Sequence, residues 1–312
     1  MNRIHIRFGK LLFAMMCIAG VIFILNAITR SLIVKNTEAI VFNNGKFGKE
    51  AVIEVEAPAD GEDPQGLQAA DPGFSDKVFE KERISQGYLT PNPDSKEIDV
   101  TAVELYGSSN EFYGVADGSM MLNERAVDAL NLMMEGYYQA TALNDFVVYG
   151  TNDTYTGEGS ICPKKYADSV SMNTIDVALM AYDSMISYDG LDAEGWLIDN
   201  CMKYGFIVRY PEGKSAATGE AYCPWHLRYV GVHHALFMTA NNMCLEEYVE
   251  YLRNFTRENP CAITVGNDVY NVFYVPSNGD KTEISLPMRG NYDVSGNNSD
   301  GFIVSYKVES NN

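Results

Sequence analysis

The chain has 312 residues, 46% of them apolar, enough to bury a real core in one medium domain with appendages or in two domains. Its 42 acidic and 23 basic side chains leave a formal charge of −19, a field that repels nucleic acid and gives no help in docking on anionic lipid. Nucleic acid is therefore not expected among its partners.

Residues 11–29, LLFAMMCIAGVIFILNAIT, form an apolar run about as long as a helix that crosses a hydrocarbon core, and Arg3, Arg7 and Lys10 precede it. Positive flanks stay cytoplasmic, so the rest of the chain is expected outside the cell membrane. No A-x-A site follows the run, which favours an uncleaved single-pass anchor over a signal peptide. Residues 1–34 are read as cytoplasmic tip and anchor. Residues 35–95 are read as a stalk, because EAPADGEDPQGLQAADPGFSDKVFEKE is acidic, carries Pro and Gly and has few large apolar side chains.

From 124 onward Ala126, Ala129, Leu130, Met133, Met134 and Tyr137 recur at three and four, with Asn123 as cap, which predicts an amphipathic helix. Phe146 to Tyr149 reads as a short buried strand closed by the turn GTND. Asp192 opens a helical stretch containing Trp196, Leu197, Asn200, Cys201 and Tyr204 that Gly205 ends, and FIVRYP follows as a strand stopped by Pro211. Two more helices are expected at about 232–241 and through Leu245, Tyr248, Val249 and Leu252. Beyond 258, AITVG, VYNVFYV, EISLP, YDVSG and GFIVSYKV alternate with turn clusters. The fold class is α+β: a small antiparallel sheet flanked by helices over 96–256, and a small all-β appendage over 257–312.

Cys17 lies in the apolar run, while Cys162, Cys201, Cys223, Cys244 and Cys261 lie outside it without CxxC spacing. That pattern builds no zinc knuckle and demands no disulfide framework, although one or two bridges are compatible with it.

The runs KYGFIVRYP and CPWHLRYVG, followed by CLEEYVEYL and preceded by NERAVDALNLMMEG, resemble the VanY-type zinc D-alanyl-D-alanine carboxypeptidases over about half the chain. The resemblance implies a peptidoglycan stem peptide as substrate. It also implies a zinc held by the His and Asp of S-x-H-x-x-G-x-A-x-D and the His of E-P-W-H, whose Glu is the base for the zinc-bound water. Three protein ligands leave one tetrahedral position for that water, and each part is required.

Laid on this chain, His226 takes the second His position and Cys223 the base position, where a thiol cannot act as a carboxylate. With Ser169 at the motif's serine, Ser171 stands at the first ligand, Thr174 at the Gly, Asp176 at the Ala and Ala178 at the Asp ligand. The family's carboxylate-clamping arginine falls on Asn152. Ser169, Asn152, Trp225 and Arg228 are the remaining candidates for substrate contact. A rebuilt metal site would need Asp176 and His233 or His234 to meet at His226. A Cys223–His226 nucleophile pair is disfavoured, because positions i and i+3 of a strand face opposite ways.

The expectation is a membrane-anchored, extracytoplasmic pseudoenzyme with no cofactor that binds cell-wall peptide or an envelope protein. The alternatives are an active zinc D-alanyl-D-alanine carboxypeptidase with a nonstandard site, and a purely structural interaction module. His226 is read as a relic ligand, buried and hydrogen-bonded.

Overall fold

The computed structural model describes residues 38–43, 46–52, 72–91, 101–151, 154–155, 167–191 and 195–309. The apolar run at 11–29, Asn152, Cys162 and Asp192 lie outside them. Among the described residues no helix is long and apolar enough to cross a membrane. The chain divides into two units, Met1–Ile53 and Glu54–Asn312. In the first, β1 (Glu38–Asn43) pairs antiparallel with β2 (Lys46–Val52).

The second unit carries the main sheet, in which β11 (Phe206–Tyr210), β12 (Cys223–Tyr229), β9 (Thr174–Ala181), β7 (Phe146–Thr151) and β5 (Gly114–Val115) lie side by side. Two short strands extend it: β8 (Thr154–Tyr155) on β7 and β10 (Ser184–Ser187) on β9. The sheet is not purely antiparallel as expected, because β5 runs parallel to β7. A separate pair, β4 (Ala102–Glu104) and β6 (Met121–Asn123), leads into the helix Glu124–Thr141.

That helix forms where its apolar spacing predicts. The Asn123 side chain accepts from Arg125 N, and Ala126, Val127, Leu130, Met133, Met134 and Tyr137 are buried against Phe146, Val148, Ile175, Val177 and Leu227 of the sheet. Trp196–Asn200 is α-helical and Cys201–Tyr204 tightens into a 3₁₀ turn that Gly205 ends at φ 85°. The helices Val232–Ala240 and Leu245–Leu252 follow.

The C-terminal strands β13 (Cys261–Val265), β14 (Asp268–Pro276), β16 (Tyr292–Gly296) and β17 (Gly301–Lys307) form a four-stranded antiparallel sheet in the order β13-β14-β17-β16. This region is not built from the C-terminus alone. β15 (Lys281–Pro287) pairs along its whole length with β3 (Phe74–Glu80), a segment read from sequence as stalk. Ile84 belongs to the same apolar cluster as Phe273, Ile284, Leu286, Phe302 and Val304. β3 is exposed on most of its length, and its alternation is too weak to reveal it as a strand; pairing with β15 makes it one.

From β3 the chain runs as a strap, residues 84–91, between the two regions. Gly296 N donates to Gln86 O, Leu89 N to Ser295 Oγ, Thr90 Oγ1 to Gly296 O and Asn298 N to Ile84 O. Gly87, at φ 120°, allows this approach, since a Cβ there would lie 2.6 Å from the Ser295 Cα. Cys201, Cys223, Cys244 and Cys261 are buried and none is in a disulfide.

Candidate functional site

His226 sits in the middle of β12, directly opposite Asp176 on β9, and is fully buried. Its Nδ1 lies 2.6 Å from Asp176 Oδ1, and its Nε2 lies 3.0 Å from Asp168 Oδ1. A ring with a carboxylate on each nitrogen donates from both and is therefore an imidazolium. Burial alone would lower its pKa; Asp168 and Asp176 override that and raise it to about 9. Gly150, across the sheet from Asp176, leaves room for the carboxylate: a Cβ there would come within 2.8 Å of Asp176 Oδ2.

Asp168 is the hub. Its Oδ2 takes Arg209 Nε at 3.2 Å and Arg228 at 3.3 Å, and Tyr210 donates its hydroxyl to Oδ1 at 3.2 Å. Burial would raise the Asp168 pKa, yet His226, Arg209 and Arg228 hold it well below the usual carboxylate range. Arg209 continues to Glu246 at 2.6 Å and to Pro91 O at 2.9 Å. Arg228 donates to Tyr88 O and Gly87 O, both at 3.2 Å. Tyr210 stacks on the His226 ring, centroids 5.5 Å apart.

The cluster thus balances three cations, His226, Arg209 and Arg228, against three carboxylates, Asp168, Asp176 and Glu246. Asp168, Arg209, His226 and Arg228 have no exposed surface, and the strap lies over the two arginines through its carbonyls. Such a set is charge-paired internally and withdrawn from solvent at its centre, with Arg209 Nε held by an ion pair and not by a hydrogen bond.

A zinc ion does not fit it. The metal needs a neutral imidazole nitrogen and at least two further donors, whereas both ring nitrogens of His226 already lie against carboxylates, at 2.6 and 3.0 Å. Among the described residues no three His, Cys, Asp or Glu side chains are disposed to hold a metal.

The structure alters several positions assigned from sequence. Asp176, not Ala178, faces His226; Ala178 lies one alternate residue further along β9, packed with Tyr149, Tyr210 and Cys223. The same motif laid two residues earlier would put Ala167 at the serine, Ser169 at the first His and Asp176 at the Asp. Ser171 is buried and bonds locally to Asn173, with its Oγ accepting from Asn173 N at 3.3 Å. The side chain of Ser169 and residue Asn152 lie outside the described residues.

Arg228, a candidate for substrate contact, is spent inside the cluster. Trp225 is half-buried, and its Nε1 has no hydrogen-bond partner among the described residues. Cys223 is not turned away from the site as strand alternation predicts. A register irregularity between Val208 and Tyr210 sets it opposite Tyr210, the ring that stacks on His226.

His233 and His234 point elsewhere: His233 stacks on Tyr270, and His234 Nδ1 lies 2.7 Å from the Tyr248 hydroxyl. Sequence reasoning missed Asp168, Arg209, Tyr210 and Glu246. Two of them, Arg209 and Tyr210, stand in the KYGFIVRYP run itself, and Asp168 immediately precedes Ser169.

A mixed sheet with helices packed on it, crossed by the strand that carries His226, frames the site. The D-alanyl-D-alanine carboxypeptidase (VanY) family model matches residues 172–232, the stretch that holds β9, β11 and β12. A D-alanyl-D-alanine carboxypeptidase of Enterococcus faecium is 29% identical over 244 residues, 73% of this chain and 78% of that protein. A bifunctional D-Ala-D-Ala dipeptidase and carboxypeptidase of Enterococcus gallinarum is 53% identical over 57 residues, covering 18% of this chain and 30% of that protein. The solved structure of the vancomycin-resistance D,D-dipeptidase VanXYg, with a D-Ala-D-Ala phosphinate analog, superposes with a TM-score of 0.62 at 24% identity. It covers 75% of this chain and 99% of that one, a likeness of fold.

Proposed function

We propose that this chain is a D-alanyl-D-alanine carboxypeptidase-like protein of the cell envelope that acts by binding and not by hydrolysis, anchored through residues 11–29. The observation that carries the reading is the buried His226 held between Asp168 and Asp176, with the buried Arg209 and Arg228 paired to the same Asp168. Hydrolysis needs a base and a polarising cation aimed at one amide. Here the base position is Cys223 and the positive charge is neutralised internally.

The closed cluster favours partnership through another surface over capture of a stem peptide in the old cleft. Retention of the scaffold around a filled site is consistent with that role.

A second reading is an active carboxypeptidase acting on D-alanyl-D-alanine peptides. It is supported by the match over 244 residues to the enterococcal carboxypeptidase and by the activities that both relatives are named for.

Release of D-alanine from a pentapeptide muropeptide, assayed with the full chain and added zinc, separates the two. The first reading expects release no faster than in the absence of protein. Turnover that disappears in His226→Ala establishes the second.

A further inference from the structure

A groove of about 430 Å³ opens on the far side of the strap from the His226 cluster. It is bounded by β3, the strap, β16 and the start of the helix Glu124–Thr141, and none of His226, Asp168 and Arg209 lines it. Its size lies within the range of small-ligand sites. Three cations, Lys77, Arg83 and Arg125, border it in a chain whose formal charge is −19.

Two acids, Glu124 and Asp293, also line it. Asp293 engages Arg125 NH1 at 2.7 Å, a partly exposed pair that leaves other guanidinium N–H groups for a ligand. Lys214, Lys281 and Lys307 each meet a carboxylate. Lys77 does not, among the described residues: its ammonium reaches the Tyr292 hydroxyl and lies 5.1 Å from that ring's centroid. Phe79, Tyr88, Tyr292 and Val294 supply apolar surface beside these charges.

The pairing of cationic rim and aromatic wall selects a ligand with an oxyanion at one end and a small apolar body. We propose that this groove is a binding site for such a ligand, a peptide carboxylate or a phosphate monoester, with Lys77 holding the oxyanion and Tyr88 and Tyr292 receiving the body. The inference is independent of whether the His226 site hydrolyses anything.

The test is isothermal titration of the full chain with N-acetyl-alanyl-alanine in one arm and glycerol 1-phosphate in the other, repeated on the variant Lys77→Gln. At least one ligand binds the unaltered chain with a Kd of about 1 mM or tighter. The variant weakens it about tenfold, the scale of a lost charged hydrogen bond, with an unchanged melting temperature. The arm that gives heat identifies the oxyanion. No binding in either arm, or equal binding by the variant, overturns the assignment.

Discussion

Replacing Asp168 with Asn tests the cluster at its hub. The carboxylate accepts from Arg228, His226 and Tyr210, forms an ion pair with Arg209 and is fully buried. Asparagine keeps the volume but removes the charge and turns N–H donors toward guanidinium groups that are themselves donors only. Arg209 still has Glu246, and Arg228 keeps the strap carbonyls of Gly87 and Tyr88 but loses the carboxylate charge. Breaking a buried pair in this manner costs about 3–5 kcal/mol, because it strands a charge without its partner. For a unit of this size each kcal/mol moves the midpoint by roughly 2–4 °C, so the melting temperature should fall by roughly 6–20 °C. Thermal unfolding followed by circular dichroism reads this directly. A loss within about 0.5 kcal/mol, the range of an ordinary surface change, would refute the claim that Asp168 organises the cluster.

The protonated His226 gives stability a pH signature. Its folded pKa is raised from 6.5 to about 9, so its contribution is complete below about pH 6.5 and disappears as pH rises through 9. A rise of that size is worth on the order of 3 kcal/mol, and urea titrations at pH 6 and pH 9.5 should differ by a loss that His226→Gln lacks; a flat profile contradicts the imidazolium. Asp168 acts oppositely, its contribution present above the ordinary carboxylate pKa and lost only as pH falls through its depressed value. Gly150→Ala should destabilise by about 1–3 kcal/mol in the same urea assay, since the new methyl meets the Asp176 carboxylate and a backbone-paired strand cannot give way. Asn123→Ala, which removes the helix cap and its bond to Asn173, should cost about 1 kcal/mol by the same measurement. Cys223→Glu, although it restores a carboxylate at the base position, should leave D-alanine release at background and lower the melting temperature, because the side chain enters the packing of Tyr149, Ala178 and Tyr210.

The elements with strong periodicity were legible in the sequence. The helix from Glu124, the strand FIVRY, the two helices after RYVG and the C-terminal strands all follow local spacing and turn residues that agree with the tertiary arrangement. β3 was not legible, because it is a strand only by virtue of a partner about two hundred residues away. The site was half legible. His226 stood out because its neighbours form a long motif, whereas motif spacing alone gave no sign that Asp176 stands opposite it on β9. Asp168 carries no motif of its own, and its role emerges only where Arg209 on β11 and Arg228 on β12 converge on it.

The central claim is that internal charge occupies the place of the metal. Calorimetric titration of the apo full chain with zinc at pH 7.5, paired with metal analysis of the purified protein, tests it most directly. The account predicts no stoichiometric zinc and no heat that His226→Ala removes. One tightly bound zinc per chain, lost in that variant, would contradict it.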